Sequence, residues 1–249
     1  MITNTLQNQT DNHFKTGFIK ADSEIDILKA NLRFSGKVVI DVGCGTGKIS
    51  RLIASEGAQV VGIDTPELIG LAKEPGVAGN VVFKTGTGQN LPVENNFADI
   101  IIYYASFHHV PEIEMNNALK ECSRVLKENG LVFICEPLTD KGSYYDLASL
   151  IEDEKEIREI AHAYISLAGE TNFHMMTEKY YYIERTFEDF INLANVYVTD
   201  FNEKGNIIRK ALEIVLKSNK DIDNARFRSL ARLNILQKNV FLRPGGFVL

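Results

Sequence analysis

Seven residues, Asp41-Val42-Gly43-Cys44-Gly45-Thr46-Gly47, restrict this chain more than any other stretch of it. They follow an apolar run, Val38–Val42, and open a segment with helical spacing over residues 48–56. Glycines at alternate positions permit a tight turn, and the missing side chains let a ligand approach the backbone N–H groups that face out of a helix start. The same alternation of strand and helix continues downstream. Apolar runs at Gln59–Asp64, 80–84, Ala98–Tyr104 and 131–135 read as further strands. The run at Ala98–Tyr104 lacks period-two alternation, as expected of a parallel sheet covered on both faces. Ala118, Leu119, Cys122, Val125 and Leu126 form one apolar stripe at helical spacing, with Asn129-Gly130 as its left-handed stop. Strands joined by crossover helices predict an α/β chain on a mostly parallel sheet.

Past Pro137 the rhythm changes. Leu147, Leu150, Ile151, Ile157, Ala161, Tyr164 and Ile165 keep helical spacing for about five turns, and an aromatic run, Tyr180-Tyr181-Tyr182, follows with Phe187. The pattern predicts a helical cap over residues 138–190, inserted after the strand at 131–135. Late strands are expected at 194–201 and 239–242, with a helix over 207–217 between them, closing a seven-stranded, doubly wound sheet. The whole of 1–249 is then one domain: a helical segment at 1–36, a ligand-binding core at 37–137, the cap, and strands with basic helices at 191–249.

Composition sets outer limits. With 45% hydrophobic residues over 249 positions the chain can bury a full core. No run approaches the ~18 apolar residues of a membrane span, and the polar start is unlike a secretion signal, so a cytoplasmic location is expected. Cys44, Cys122 and Cys135 have no CxxC spacing, which points away from a zinc site, and no metal is expected. The net charge of −6 is uneven: from Lys204 onward there are ten Lys and Arg against three Asp and Glu. That basic region reads either as helices beside an acidic body or as a face for an anionic acceptor or RNA phosphates.

The glycine turn has two readings by itself. A dinucleotide fingerprint, GxGxxG, also sits at a strand-to-helix turn, but here its third glycine would fall on Lys48. The spacing is GxGxG with an acidic residue, Asp41, two places before the first glycine. Asp64 ends the next strand 21 positions after Gly43, where a carboxylate can accept both hydroxyls of a ribose. Further on come Gly86-Thr87-Gly88-Gln89-Asn90-Leu91-Pro92, Phe97-Ala98-Asp99, Phe107-His108-His109-Val110 and Arg124-Val125-Leu126-Lys127-Glu128-Asn129-Gly130. In this order and spacing, over residues 37–137, the chain resembles class I methyltransferases of the group that includes the ubiquinone and menaquinone biosynthesis enzymes.

The resemblance implies a Rossmann-like α/β fold and S-adenosylmethionine as cofactor. It implies that Gly43 and Gly45 cradle the methionine end, that Asp64 holds the ribose, that Gly86, Thr87, Gly88 and Gln89 face the adenine, and that Asp41, Cys44 and Thr65 also belong to the cofactor site. Tyr103 and Tyr104 end the strand at Ala98–Tyr104, and one of them, with Tyr103 preferred, would touch the cofactor through its backbone while its ring packs. Thr87 departs from the family, which usually has an acidic residue there; a hydroxyl can accept the adenine amino group's hydrogen bond with less charge assistance. His108 and His109 follow the strand at Ala98–Tyr104, at the sheet edge where open α/β folds bind ligands, and are the base candidates. Glu136 either faces the acceptor or caps the next turn. The leading functional expectation is methylation of a small molecule at O, N or C; an RNA methyltransferase and a noncatalytic cofactor-binding subunit stand as alternatives.

Overall fold

The computed structural model describes residues 17–72, 80–139, 143–169, 173–217 and 225–239. In chain order the elements are β1 (Ile19–Lys20), α1 (Glu24–Asn31), β2 (Val38–Val42), α2 (Lys48–Ser55), β3 (Gln59–Asp64), α3 (Pro66–Ala72), β4 (Val81–Thr85) and β5 (Ala98–Tyr104). Two short 3-10 turns, Phe107–His109 and Glu112–Glu114, lead to α4 (Met115–Val125) and β6 (Leu126–Pro137). Then come α5 (Tyr145–Ala148), α6 (Lys155–Ala168), β7 (Phe173–Thr186), α7 (Phe187–Tyr197), α8 (Phe201–Lys217) and β8 (Arg226–Lys238). The strands form one sheet in the order β1-β7-β8-β6-β5-β2-β3-β4. Pairings β2 with β3, β2 with β5, β3 with β4 and β5 with β6 are parallel, as expected for strands joined by crossover helices.

The chain divides into two compact units. One comprises Leu28–Glu136, Glu156–Glu178 and Leu233–Leu249. Its core is built from sheet residues Ile40, Ile63, Ile101 and Ile134, with Leu119 and Cys122 of α4 and Ala161 and Ile165 of α6 packed among them. Ala118, Leu119, Cys122 and Val125 of the stripe read from the sequence are thus buried on α4, and Leu126 begins β6. The other unit comprises Met1–Ile27, Pro137–Lys155 and Lys179–Arg232. There Phe187 and Phe190 of α7 and Ile207, Ala211 and Val215 of α8 share a core with Phe227.

Several expectations need correction. Among the described residues the sheet has eight strands rather than seven. The strand expected at 194–201 is the end of α7 and the start of α8. A capping box starts α7, with Thr186 Oγ1 accepting from Asp189 N and the Asp189 carboxylate accepting from Thr186 N. Burial of Phe187, Phe190 and Ala194 at helical spacing then outweighs the β-branched residues near its end. The Tyr180 to Tyr182 run lies in β7, where Tyr181 and Ile183 are buried and Tyr182 between them is half-buried, so residues 138–190 are not wholly helical. The five-turn helix is instead α5 and α6, separated where the Asp153 carboxylate accepts from Lys155 N and from the Tyr145 hydroxyl. Helix α4 stops at Val125, four residues before Asn129, because Leu126 turns extended to pair with Ala98. Asn129 is left-handed, at φ 61°, but inside β6, where the register with β5 shifts between Ala98 and Ile100. Of the strand expected at 239–242, Asn239 follows β8 and the rest lies outside the described residues.

Candidate active site

Strands β2, β3 and β5 end at one edge of the sheet, and the turns that leave them form the site. Gly43 and Gly45 both lie in the left-handed region, at φ 72° and 54°. Amide groups of Gly43 and Cys44 donate to Ile63 O at 2.8 and 3.2 Å, which ties the turn to the end of β3. The two glycines differ in their surroundings. A β-carbon on Gly43 would stand 2.4 Å from Ser106 Cβ, so the turn after β2 and the turn after β5 are in direct contact there. Among the described residues, a β-carbon on Gly45 would meet nothing within 4 Å. Bare backbone facing open space is what a ligand cradle requires.

Asp64, at the end of β3, is held over that cradle. Its Oδ2 accepts from Gly45 N at 2.7 Å and its Oδ1 from Thr65 N at 2.7 Å. Each carboxylate oxygen has a further lone-pair direction for a hydroxyl donor. Asp41 acts from behind. It is buried in β2, and Ser50 Oγ of α2 donates to its Oδ2 at 2.6 Å, linking the strand before the turn to the helix after it. Burial pushes the Asp41 carboxyl up to about 6, the Ser50 bond draws it partly back, and the Asp64 charge adds to the rise. Cys44 is also buried; burial, then the charges of Asp41 and Asp64, raise its thiol far above the usual range, so it is an unreactive part of the turn.

The turn after β4 joins the same edge, since Gly86 N donates to Asp64 O at 3.0 Å. Thr87 and Asn90 bridge across it, with Asn90 N donating to Thr87 O at 3.1 Å. Arg124 of α4 anchors the following segment through Leu91 O, Val93 O and Asn95 Oδ1. Tyr103 supports the turn from below: its buried ring packs edge-on against Phe107, and its hydroxyl would be 3.0 Å from a β-carbon on Gly88. Gln89 lies on the same turn and is half-buried.

His108 and His109 occupy the 3-10 turn just past β5, with ring centroids 4.1 Å apart. They are not equivalent. His108 is buried and His109 exposed. Glu136, at the end of β6, reaches back across the sheet edge to this turn: its Oε1 accepts from Ser106 N at 3.2 Å and Phe107 N at 2.9 Å, and its Oε2 pairs with His108 Nδ1. The carboxylate therefore caps the turn after β5, not the one that follows its own strand. Sequence reasoning missed Ser106, whose Oγ donates to Val42 O at 2.7 Å, and Ser50. Ser50 could have been suspected from its place one turn into α2 behind a buried aspartate; nothing in the sequence marks Ser106.

A family model described as a methyltransferase domain matches residues 40–134, the stretch that carries every element of this edge up to β6. Over residues 40–134 the chain is similar to methyltransferase domains. A ubiquinone biosynthesis O-methyltransferase from Xanthomonas oryzae is 32% identical to this chain over 114 residues, which are 44% of this chain and 47% of that protein. The chain thus spans about half the length of that relative. Among solved structures, a SAM-dependent methyltransferase from Methanosarcina mazei has TM-score 0.53 at 19% identity, covering 88% of this chain and 99% of that one. A (4+2)-cyclase has TM-score 0.56 at 18% identity, covering 83% and 76%. At these identities the two structures speak for the fold alone.

Proposed function

We propose that the chain is an enzyme that transfers a methyl group from S-adenosylmethionine to an oxygen of a small molecule. The observation that carries this reading is the hydrogen bond from Gly45 N to Asp64 Oδ2, 2.7 Å long, beside a left-handed glycine with open space above it. A backbone cradle next to a carboxylate suits a nucleoside whose ribose hydroxyls donate to the acid. Gly43, Cys44 and Gly45 would hold the methionine end, Asp64 and Thr65 the ribose, and Gly86, Thr87, Gly88 and Gln89 the adenine, with Asp41 and Tyr103 supporting the turns from within the sheet. When bound, the cofactor supplies a methyl group activated by a positive sulfur.

The protein's part is alignment, exclusion of water and control of one proton. An acceptor hydroxyl must lose its proton as its oxygen becomes bonded to carbon, and a positioned base contributes ~10²- to 10⁴-fold to such a step. His108 fills that role in this reading, because its turn is in contact with the Gly43 turn, and the exposed His109 contributes to the entrance. The O-methyltransferase name of the Xanthomonas relative supports oxygen as the acceptor atom.

Isothermal titration with S-adenosylmethionine and S-adenosylhomocysteine tests the first half, and a nicotinamide dinucleotide serves as control. Radiolabelled methyl transfer into cell extract, separated into small molecules, RNA and protein, tests the second. Label in the small-molecule fraction is expected; binding of neither sulfur nucleoside would overturn the reading.

A further inference from the structure

Glu136 takes no part in the cofactor cradle, yet it is buried and each of its oxygens is engaged. Oε1 receives two backbone N–H donors, from Ser106 and Phe107, and Oε2 faces His108 Nδ1. We infer that Glu136 is the positioning residue of the site: it fixes the proton of His108 on Nδ1 and so makes Nε2 the basic nitrogen. The inference rests on the reading of His108 as the base, but its physical content can be measured apart from turnover.

A carboxylate can only accept hydrogen bonds. Against it, Nδ1 of a neutral imidazole must carry the proton, because the alternative sets a lone pair against a negative oxygen inside the protein. The lone pair of the ring then lies on Nε2, where the proton of an acceptor hydroxyl is received; the resulting imidazolium keeps its Nδ1 proton on Glu136, whose charge balances it. The backbone contacts set the orientation. Ser106 N and Phe107 N converge on one oxygen, so the carboxylate plane is held by the turn that carries His108, and ring and acid are fixed together.

The same contacts dictate the outcome of Glu136→Gln. Two converging N–H donors require an oxygen, so the amide oxygen takes the Oε1 position and the amide NH₂ faces His108 Nδ1. As a donor, that NH₂ forces Nδ1 to accept and moves the ring proton to Nε2. The substitution keeps the size and the cap while reversing the tautomer.

The test is nitrogen NMR of the full chain labelled with ¹⁵N-histidine near pH 8, where an ordinary imidazole is neutral, with His108 assigned by comparison with His108→Gln. Wild-type protein is expected to show Nδ1 protonated and Nε2 bare, and Glu136→Gln the reverse. Turnover in Glu136→Gln should fall by ~10²-fold or more, with KM for S-adenosylmethionine unchanged. A proton on Nε2 in the wild type overturns the inference even if Glu136→Gln does not fold, and so does the same tautomer in both proteins. A reversed tautomer with unchanged turnover upholds the positioning role of Glu136 and removes His108 as the base, so the two readings fail separately.

Discussion

Gly43 and Ser106 lie so close that a β-carbon on the glycine would come 2.4 Å from Ser106 Cβ, and the Ser106 hydroxyl spans the gap to Val42 O at 2.7 Å. The glycine turn after β2 and the turn that carries His108 are thus one packed unit. Gly43→Ala combines that clash with a left-handed backbone, at φ 72°. It should lower stability by ~2 kcal/mol or more, read as a shifted urea midpoint.

Gly45→Ala is the informative contrast. Its backbone is also left-handed, but the space above it is open, so only the conformational cost of ~1 kcal/mol applies. The variant should fold and fail to bind S-adenosylmethionine in a calorimeter. Retained wild-type affinity would show that the open space is not where the ligand sits.

Asp64 accepts two backbone N–H groups and is read as the ribose clamp. Hydrogen bonds to a charged group contribute ~1.5–3 kcal/mol. Asp64→Ala should therefore weaken cofactor binding roughly 10- to 100-fold, measured by titration calorimetry, and an unchanged dissociation constant would remove Asp64 from the site.

Asp41 gives the fold a pH signature. Its carboxyl is pushed up to about 6, first by burial, whereas in the unfolded chain it ionises near ~3.9. Between those values the folded state binds more protons than the unfolded one, so stability falls as pH rises. The contribution is complete below about pH 4 and is lost as pH passes through about 6. Asp41→Asn keeps an acceptor for Ser50 Oγ and cannot ionise. Relative to wild type it should gain stability between pH 4 and 7, by about 3 kcal/mol at ~1.4 kcal/mol per pKa unit, seen in denaturant melts across that range. A parallel pH dependence in both proteins would rule the effect out.

Arg124 holds the segment after the turn that follows β4 through Leu91 O, Val93 O and Asn95 Oδ1, and pairs with Glu121 at 2.7 Å, which itself accepts from Leu91 N. Arg124→Ala should cost ~1–2 kcal/mol and speed amide hydrogen exchange over residues 91–97. Unaltered exchange there would mean that the loop holds itself.

The sequence by itself determined the local chemistry of this protein. Strand, glycine turn and helix from Val38 to Ser55, the acid at Asp64 and the apolar stripe of α4 were legible, because each depends on neighbours a few residues apart: turn conformation, helical period, two-face burial. It also placed two histidines at the sheet edge. Only the tertiary structure decided which of them is buried, and only it brought Glu136 back, 28 residues along the chain, onto His108. Ser106 against Gly43 is likewise a meeting of residues 63 apart that no periodicity encodes. The later half was misread for the same reason. Tyr180 to Tyr182 and the β-branched end of α7 carry strand preference, and whether each became strand or helix was settled by which face found a core to bury.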